Sequence, residues 1–149
     1  MTKPPCAPST AMSARNRCAC NCPIPWFWPG IQARRSIRPV PRAHDSLRNI
    51  FANTLQHFGL QRVQALSLDQ FGGCLNVRPR RGGSSYSVHA WGAAVDLDPV
   101  NNALRWDRSR AAFARAEYEP FWKIVEEQGW TSLGRQRDYD WMHFQAASL

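Results

Sequence analysis

The chain contains no run of about 18 consecutive apolar residues, which is the length that a membrane-spanning helix requires. We therefore expect no membrane span. Basic residues near the start are not followed by an apolar stretch of about 7–15 residues, so the sequence does not predict a secretory signal peptide. The resulting expectation is a protein that is made in the cytoplasm without that export route, although a start at Met12 is an open alternative.

Acidic residues are almost absent from the first part of the chain. Residues 1–45 contain seven Lys and Arg but only one Asp, whereas residues 46–149 contain twelve basic and ten acidic side chains. Most of the formal net charge of +8 therefore belongs to the N-terminal segment. Such a segment can bind nucleic acid or another anionic surface, or be a solvated extension. No sequence motif of a nucleic-acid-binding fold accompanies it, so we predict no specific nucleic-acid partner.

The cysteines do not form a recognisable zinc-binding pattern. Four of the five lie in the N-terminal segment, where Cys18, Cys20 and Cys22 form a C-x-C-x-C run that is too tight for a zinc knuckle and has no histidine nearby. The fifth, Cys74, has no partner within the predicted domain and is expected to be a small buried apolar residue.

Composition divides the chain into an extension and one domain. Residues 1–43 hold most of the prolines, which disfavour helices and interrupt strand pairing, and we interpret them as a flexible, basic, Pro- and Cys-rich extension. Residues 44–149 suit a single domain, and an apolar content of 44% for the whole chain is sufficient for a hydrophobic core. No internal repeat is visible.

Helical and strand patterns are mixed in the domain. Apolar spacing predicts a helix after Asp45 or Ser46 that ends at Gly59, and Pro120 suits the first turn of another helix. Helical structure is also predicted for residues 109–116. Strands are predicted at residues 74–78, 93–97 and 141–145. The elements do not alternate strictly, so the predicted fold class is α+β, with a small antiparallel sheet and packed helices.

Two short motifs carry the chemistry. The first is S-x-H-x-x-G-x-A-x-D, from Ser87 to Asp96, and the second is D-x-x-H-F, from Asp140 to Phe144. Zinc in hydrolases takes three protein ligands and keeps a fourth position open. His89, Asp96 and His143 can supply those three ligands. Asp140 is then left as the carboxylate that handles the proton.

The two motifs, in this order, resemble those of the zinc D-alanyl-D-alanine carboxypeptidases and L-alanyl-D-glutamate endopeptidases that act on peptidoglycan. The resemblance extends over roughly residues 70–147, and Gly129-Trp130 followed by residues 140–145 is similar to the phage endolysin-like branch. It implies a D,D-peptidase-like (hedgehog-like) fold, a Zn²⁺ cofactor and Asp140 as the catalytic base.

The resemblance also implies an arginine that holds the substrate. Arg78 is the preferred match and Arg81 the second, since a guanidinium can bind a carboxylate through two parallel hydrogen bonds. Solvated loop charge is the competing interpretation of both. Ser87 is expected to hydrogen-bond the loop or a group behind the metal ligands. Trp91 either lines the cleft or packs in the core.

Three functions are compatible with these features. The favoured one is a zinc-dependent peptidase acting on peptidoglycan stem peptides at the cell wall, with L-Ala–D-Glu endopeptidase activity ahead of D-Ala-D-Ala carboxypeptidase activity. The alternative is a non-catalytic zinc domain that binds the cell wall, and the presence of Asp140 argues against it. A nucleic-acid-binding protein is the least favoured. We expect a monomer with a peptidoglycan peptide as substrate.

Overall fold

The computed structural model describes residues 41–78 and 82–147, in which helices pack against a small sheet. The helices are α1 (Pro41–Ala65), α2 (Glu119–Glu127) and α3 (Leu133–Arg137), and the strands are β1 (Phe71–Gly73), β2 (Ala94–Leu97), β3 (Thr131–Ser132) and β4 (His143–Gln145). The four strands form an antiparallel sheet in the order β1-β2-β4-β3. The α+β class with a small antiparallel sheet is thus confirmed.

Helix α1 supplies one wall of the core. Its side chains Leu47, Ile50 and Phe51 are fully buried, as the apolar spacing predicts. Gly59 interrupts the helix with a non-helical backbone (φ 70°, ψ 159°) that glycine adopts readily. The helix begins at Pro41, four residues before the predicted cap at Asp45. Proline is tolerated in a first turn because its missing N–H has no partner there in any case.

The prediction of a strand at residues 74–78 is wrong. The strand ends at Gly73, and residues 75–78 lie in irregular backbone. A Cβ at Gly72 would come within 3.1 Å of the Asp96 carbonyl oxygen and of Pro99 Cδ, so the glycine allows a close approach to β2. The pairing between β1 and β2 also shifts register between Phe71 and Gly73. The glycine pair that precedes the predicted strand is therefore itself part of β1.

The helix predicted at residues 109–116 is replaced by two short 3₁₀ turns, Ala112–Ala114 and Ala116–Tyr118. Helix α2 agrees with the prediction and has proline in its first turn. Its Phe121 ring contacts Phe144 of β4, with ring centroids 5.9 Å apart. This contact fixes the helix against the centre of the sheet, and β4 is one of the two strands that carry the candidate site.

The last predicted strand is shorter than expected, because residues 141–142 form a turn and β4 begins at His143. The predicted extension at residues 1–43 lies almost wholly outside the described residues, and the boundary after residue 43 stays a prediction. Among the helices that the structure describes, none combines the length and the apolar character needed to cross a membrane.

Candidate metal centre

His89 lies on a short 3₁₀ turn, Val88–Trp91, which precedes strand β2. The Ser87 hydroxyl caps this turn by accepting a hydrogen bond from the His89 N–H at 3.4 Å. Gly92 ends the turn in the left-handed conformation (φ 65°), in which glycine carries no steric penalty. The pattern S-x-H-x-x-G therefore encodes a capped turn that presents His89 to the sheet.

Asp96 and His143 are directly opposite each other on neighbouring strands. They form a registered pair between β2 and β4. Opposite residues of an antiparallel pair project from the same face of the sheet, so the two side chains meet. Sequence separation does not predict this pairing by itself, but the register of the two strands accounts for it.

Three ligand-type atoms converge at this point. His89 Nε2 lies 3.1 Å from His143 Nδ1 and 3.2 Å from Asp96 Oδ1. The third side of the triangle, from His143 Nδ1 to Asp96 Oδ1, is 3.0 Å. Within the described part of the chain these three residues form the group suited to holding a metal ion. All three were predicted as ligands.

The spacing of these atoms fits a tetrahedral metal ion. With metal–ligand bonds of about 2.0–2.2 Å, ligand atoms in a tetrahedral zinc site lie about 3.3–3.6 Å apart. The observed separations of 3.0–3.2 Å need to open by only a few tenths of an ångström. Two imidazoles and one carboxylate also form a donor set that suits zinc. The residues present therefore fit the predicted cofactor.

The electrostatics of the triangle favour a cation. Burial acts to raise the pKa of Asp96, but hydrogen bonds and charge from His143 and His89 outweigh it and lower the pKa to about 2. Burial also acts to lower the pKa of His143, and here the hydrogen bond and charge of Asp96 prevail and raise it. The carboxylate is thus ionised across the physiological range and attracts positive charge to the site.

Asp140 lies next to the triangle but is not one of its corners. The residue is 7% exposed, and its negative charge contributes to the raised pKa of His143. Its backbone is left-handed (φ 57°), a conformation that aspartate tolerates better than most residues. The Asp140 N–H donates to the Leu104 carbonyl at 3.1 Å, and the His143 N–H donates to the Asp140 carbonyl at 3.1 Å. A tight turn therefore ties the backbone of Asp140 to that of the candidate ligand His143.

The remaining predicted residues occupy different positions. Arg78 is half-buried, and its carbonyl accepts a hydrogen bond from the Ser87 N–H at 3.0 Å, which ties its segment to the turn that carries His89. Arg81 lies outside the described residues. Trp91 is 63% exposed, so the core-packing interpretation is wrong for it. Its ring makes an edge contact with Tyr86, another exposed aromatic residue, at a centroid distance of 6.3 Å.

Residues 81–146 match the family model of D-alanyl-D-alanine carboxypeptidases. The matched range is a little under half of the chain and contains the three triangle residues and Asp140, whereas Arg78 precedes it. The match supports the peptidase family that the two motifs resemble. No curated protein and no solved structure is similar enough to the chain to count as a match.

Sequence reasoning missed two groups behind the ligands. The Cys74 carbonyl oxygen lies 2.7 Å from His89 Nδ1, and the Gln145 Oε1 atom lies 3.0 Å from His143 Nε2. Every residue type has a backbone carbonyl, so the sequence cannot indicate that the one at position 74 contacts His89. Gln145 did offer a signal, because it follows His143 by two positions in a strand and therefore shares its face of the sheet.

Proposed function

We propose that this protein is a zinc-dependent peptidase that hydrolyses an amide bond in the stem peptides of peptidoglycan. The observation that carries the proposal is the triangle formed by His89, Asp96 and His143, with atom separations of 3.0–3.2 Å and the Asp140 carboxylate beside it. The match of residues 81–146 to D-alanyl-D-alanine carboxypeptidases supports the same reaction class.

Amide hydrolysis needs an activated water molecule, a polarised carbonyl group and a proton for the leaving amine. A zinc ion held by the triangle would act as a Lewis acid that polarises the scissile carbonyl and makes water a stronger nucleophile. Asp140 would accept the proton that water loses when it adds to the carbonyl carbon. The same carboxyl group would then deliver that proton to the leaving nitrogen as the C–N bond breaks.

The position of Asp140 suits a proton carrier rather than a fourth ligand. It is held by backbone hydrogen bonds to Leu104 and His143, outside the group of three ligand atoms. Those bonds fix the main chain on both sides of the carboxylate, which limits how far the side chain can move during two proton transfers. Such pre-organisation contributes to catalysis because the geometry need not be found anew in each step.

Arg78 and Trp91 are the proposed contacts with the substrate. The segment of Arg78 is joined to the His89 turn by two backbone hydrogen bonds, from Asn76 N–H to the His89 carbonyl at 2.9 Å and from Ser87 N–H to the Arg78 carbonyl at 3.0 Å. A guanidinium on this segment can bind a carboxylate of the stem peptide. The exposed Trp91 ring lies two residues from His89 and offers an apolar surface to the substrate.

The proposal leaves two candidate bonds for hydrolysis. The L-Ala–D-Glu bond is favoured over the terminal D-Ala-D-Ala bond. Mass spectrometry of purified peptidoglycan, digested with the protein in the presence and absence of a zinc chelator, separates them. Chelator-sensitive release of stem peptides that begin with D-Glu supports the endopeptidase, and loss of one terminal D-Ala supports the carboxypeptidase. If protein that contains zinc cleaves neither bond, the non-catalytic wall-binding alternative replaces the enzyme.

A further inference from the structure

A buried glutamine contacts the far side of one candidate ligand. Gln145 is 3% exposed and lies on β4, two residues after His143. Its Oε1 atom is 3.0 Å from His143 Nε2, and its Nε2 amide group donates to the Ala147 carbonyl at 3.0 Å. The side chain therefore bridges the imidazole and the backbone at the end of the strand.

The second contact fixes the orientation of the amide. A backbone carbonyl can only accept a hydrogen bond, so the group that faces Ala147 must be the NH₂ end of Gln145. The amide oxygen then faces His143 and must accept a hydrogen bond from it. A neutral imidazole carries one N–H, and this contact assigns it to Nε2. The Nδ1 atom of His143 consequently carries the lone pair.

That lone pair points to the candidate metal position. His143 Nδ1 is the atom that lies 3.0 Å from Asp96 Oδ1 and 3.1 Å from His89 Nε2. With both imidazoles neutral, all three corners of the triangle present lone pairs to one another. Three convergent acceptors repel, and a cation among them, either a proton on an imidazole or a metal ion at the centre, removes the repulsion.

In His89 the hydrogen is held on the other ring nitrogen, Nδ1. Its Nδ1 atom lies 2.7 Å from the Cys74 carbonyl, which can only accept, so Nδ1 carries the hydrogen and Nε2 the lone pair. The two histidines thus use different nitrogen atoms toward the metal. The group that selects the nitrogen of His89 is backbone and is present whatever side chain stands at position 74. The group that selects the nitrogen of His143 is a side chain.

We propose that Gln145 is a positioning residue, which turns Nδ1 of His143 toward the metal by holding the hydrogen on Nε2. The inference rests on the proposed function, since it assumes that the triangle binds zinc. Partners behind a metal ligand typically change metal affinity about 10–100-fold when they are removed. Gln145 would therefore affect metal binding without contacting either the metal or the substrate.

The zinc affinity of the chain of residues 1–149 tests this role. Q145L keeps a similar volume but can neither accept from His143 nor donate to Ala147, and it should weaken zinc binding about 10–100-fold in a competition titration with a chromogenic chelator. Q145E retains an acceptor for His143 and should recover most of that loss. The matched control is S132A, a buried polar residue on the neighbouring strand β3 that caps α3 through the Arg135 N–H; its zinc affinity should equal that of the wild type.

A second measurement needs no variant and so does not depend on how well Q145L folds. Nitrogen-15 NMR of the imidazoles in the metal-free wild type, at a pH where the rings are neutral, should find the hydrogen of His143 on Nε2 and that of His89 on Nδ1. Hydrogen on Nδ1 of His143, or wild-type zinc affinity in folded Q145L, overturns the inference while the zinc-peptidase proposal stands. A wild-type protein that binds no zinc overturns both.

Discussion

The acid stability of the metal-free protein offers a direct test of how the triangle is built. Asp96→Asn removes the carboxyl group whose pKa is lowered from 3.8 to about 2 in the folded chain. Because this pKa is lower in the folded than in the unfolded state, the ionised carboxylate stabilises the fold above about pH 4. That stabilisation is lost as the pH falls through the folded value.

The size of the effect follows from the two pKa values. A shift of one unit corresponds to about 1.4 kcal/mol, so a shift from 3.8 to about 2 contributes about 2 kcal/mol to the free energy of unfolding. Solvent screening removes little of this, since the side chain is only 22% exposed. The difference in unfolding free energy between the wild type and Asp96→Asn should therefore shrink by about 2 kcal/mol between pH 5 and pH 2.

Urea unfolding of both metal-free proteins, followed by tryptophan fluorescence at several pH values, measures that difference. Subtracting the variant from the wild type cancels the other carboxyl groups, which titrate alike in both. Ser132→Ala serves as the control: it removes no ionisable group, so its difference from the wild type should stay constant with pH. A difference for Asp96→Asn that is also constant from pH 5 to pH 2 would refute the electrostatic account of the triangle.

Further predictions concern the proton carrier, the ligands, the neutral pH range and the packing. Asp140→Asn should keep zinc in stoichiometric amount, measured by elemental analysis, and lose about 10²–10⁴-fold in peptidoglycan hydrolysis. His89→Ala and His143→Ala should each lose zinc and hydrolysis together, and full zinc content in either contradicts the ligand set. Because folding raises the pKa of His143, the protonated ring stabilises the metal-free fold below the ordinary histidine pKa of 6.5. This stabilisation is lost as the pH rises through the pKa that His143 has in the folded protein. With saturating zinc, which requires neutral imidazole, thermal stability should instead increase with pH. Gly134→Ala would place its Cβ against the Trp141 ring and should cost about 3 kcal/mol of unfolding free energy, with zinc binding to the folded fraction intact.

The sequence predicts the position of the site better than it predicts the path of the chain around it. Residue type and spacing within the first motif indicate a loop for His89 and a strand for Asp96, and the structure has a short 3₁₀ turn and a strand there. The apolar face and proline of helix α2 likewise predict the element that packs behind β4. These features depend on local pattern, which a single sequence contains.

The wrong predictions share a physical cause. The strand predicted at residues 74–78 lies instead at Phe71–Gly73, where Gly72 permits a close approach of β2 that the local sequence pattern does not reveal. Residues 109–116 have helical composition but form 3₁₀ turns, in which Phe113 donates its N–H to Asn102 Oδ1 at 2.7 Å. In each case a tertiary contact overrides local propensity, and the contact involves residues distant in the sequence.

Residue types alone also cannot predict which nitrogen atom of each histidine faces the metal, because tertiary contacts decide it. A motif specifies that His89 and His143 are present, but the backbone carbonyl of Cys74 and the amide of Gln145 determine which way each ring faces. Any residue at position 74 supplies that carbonyl, so substitution there tests packing alone. Only a change at Gln145 removes the acceptor behind a ring. If metal affinity depends on ring orientation, the effect of substitution should therefore be asymmetric: large at position 145 and small at position 74.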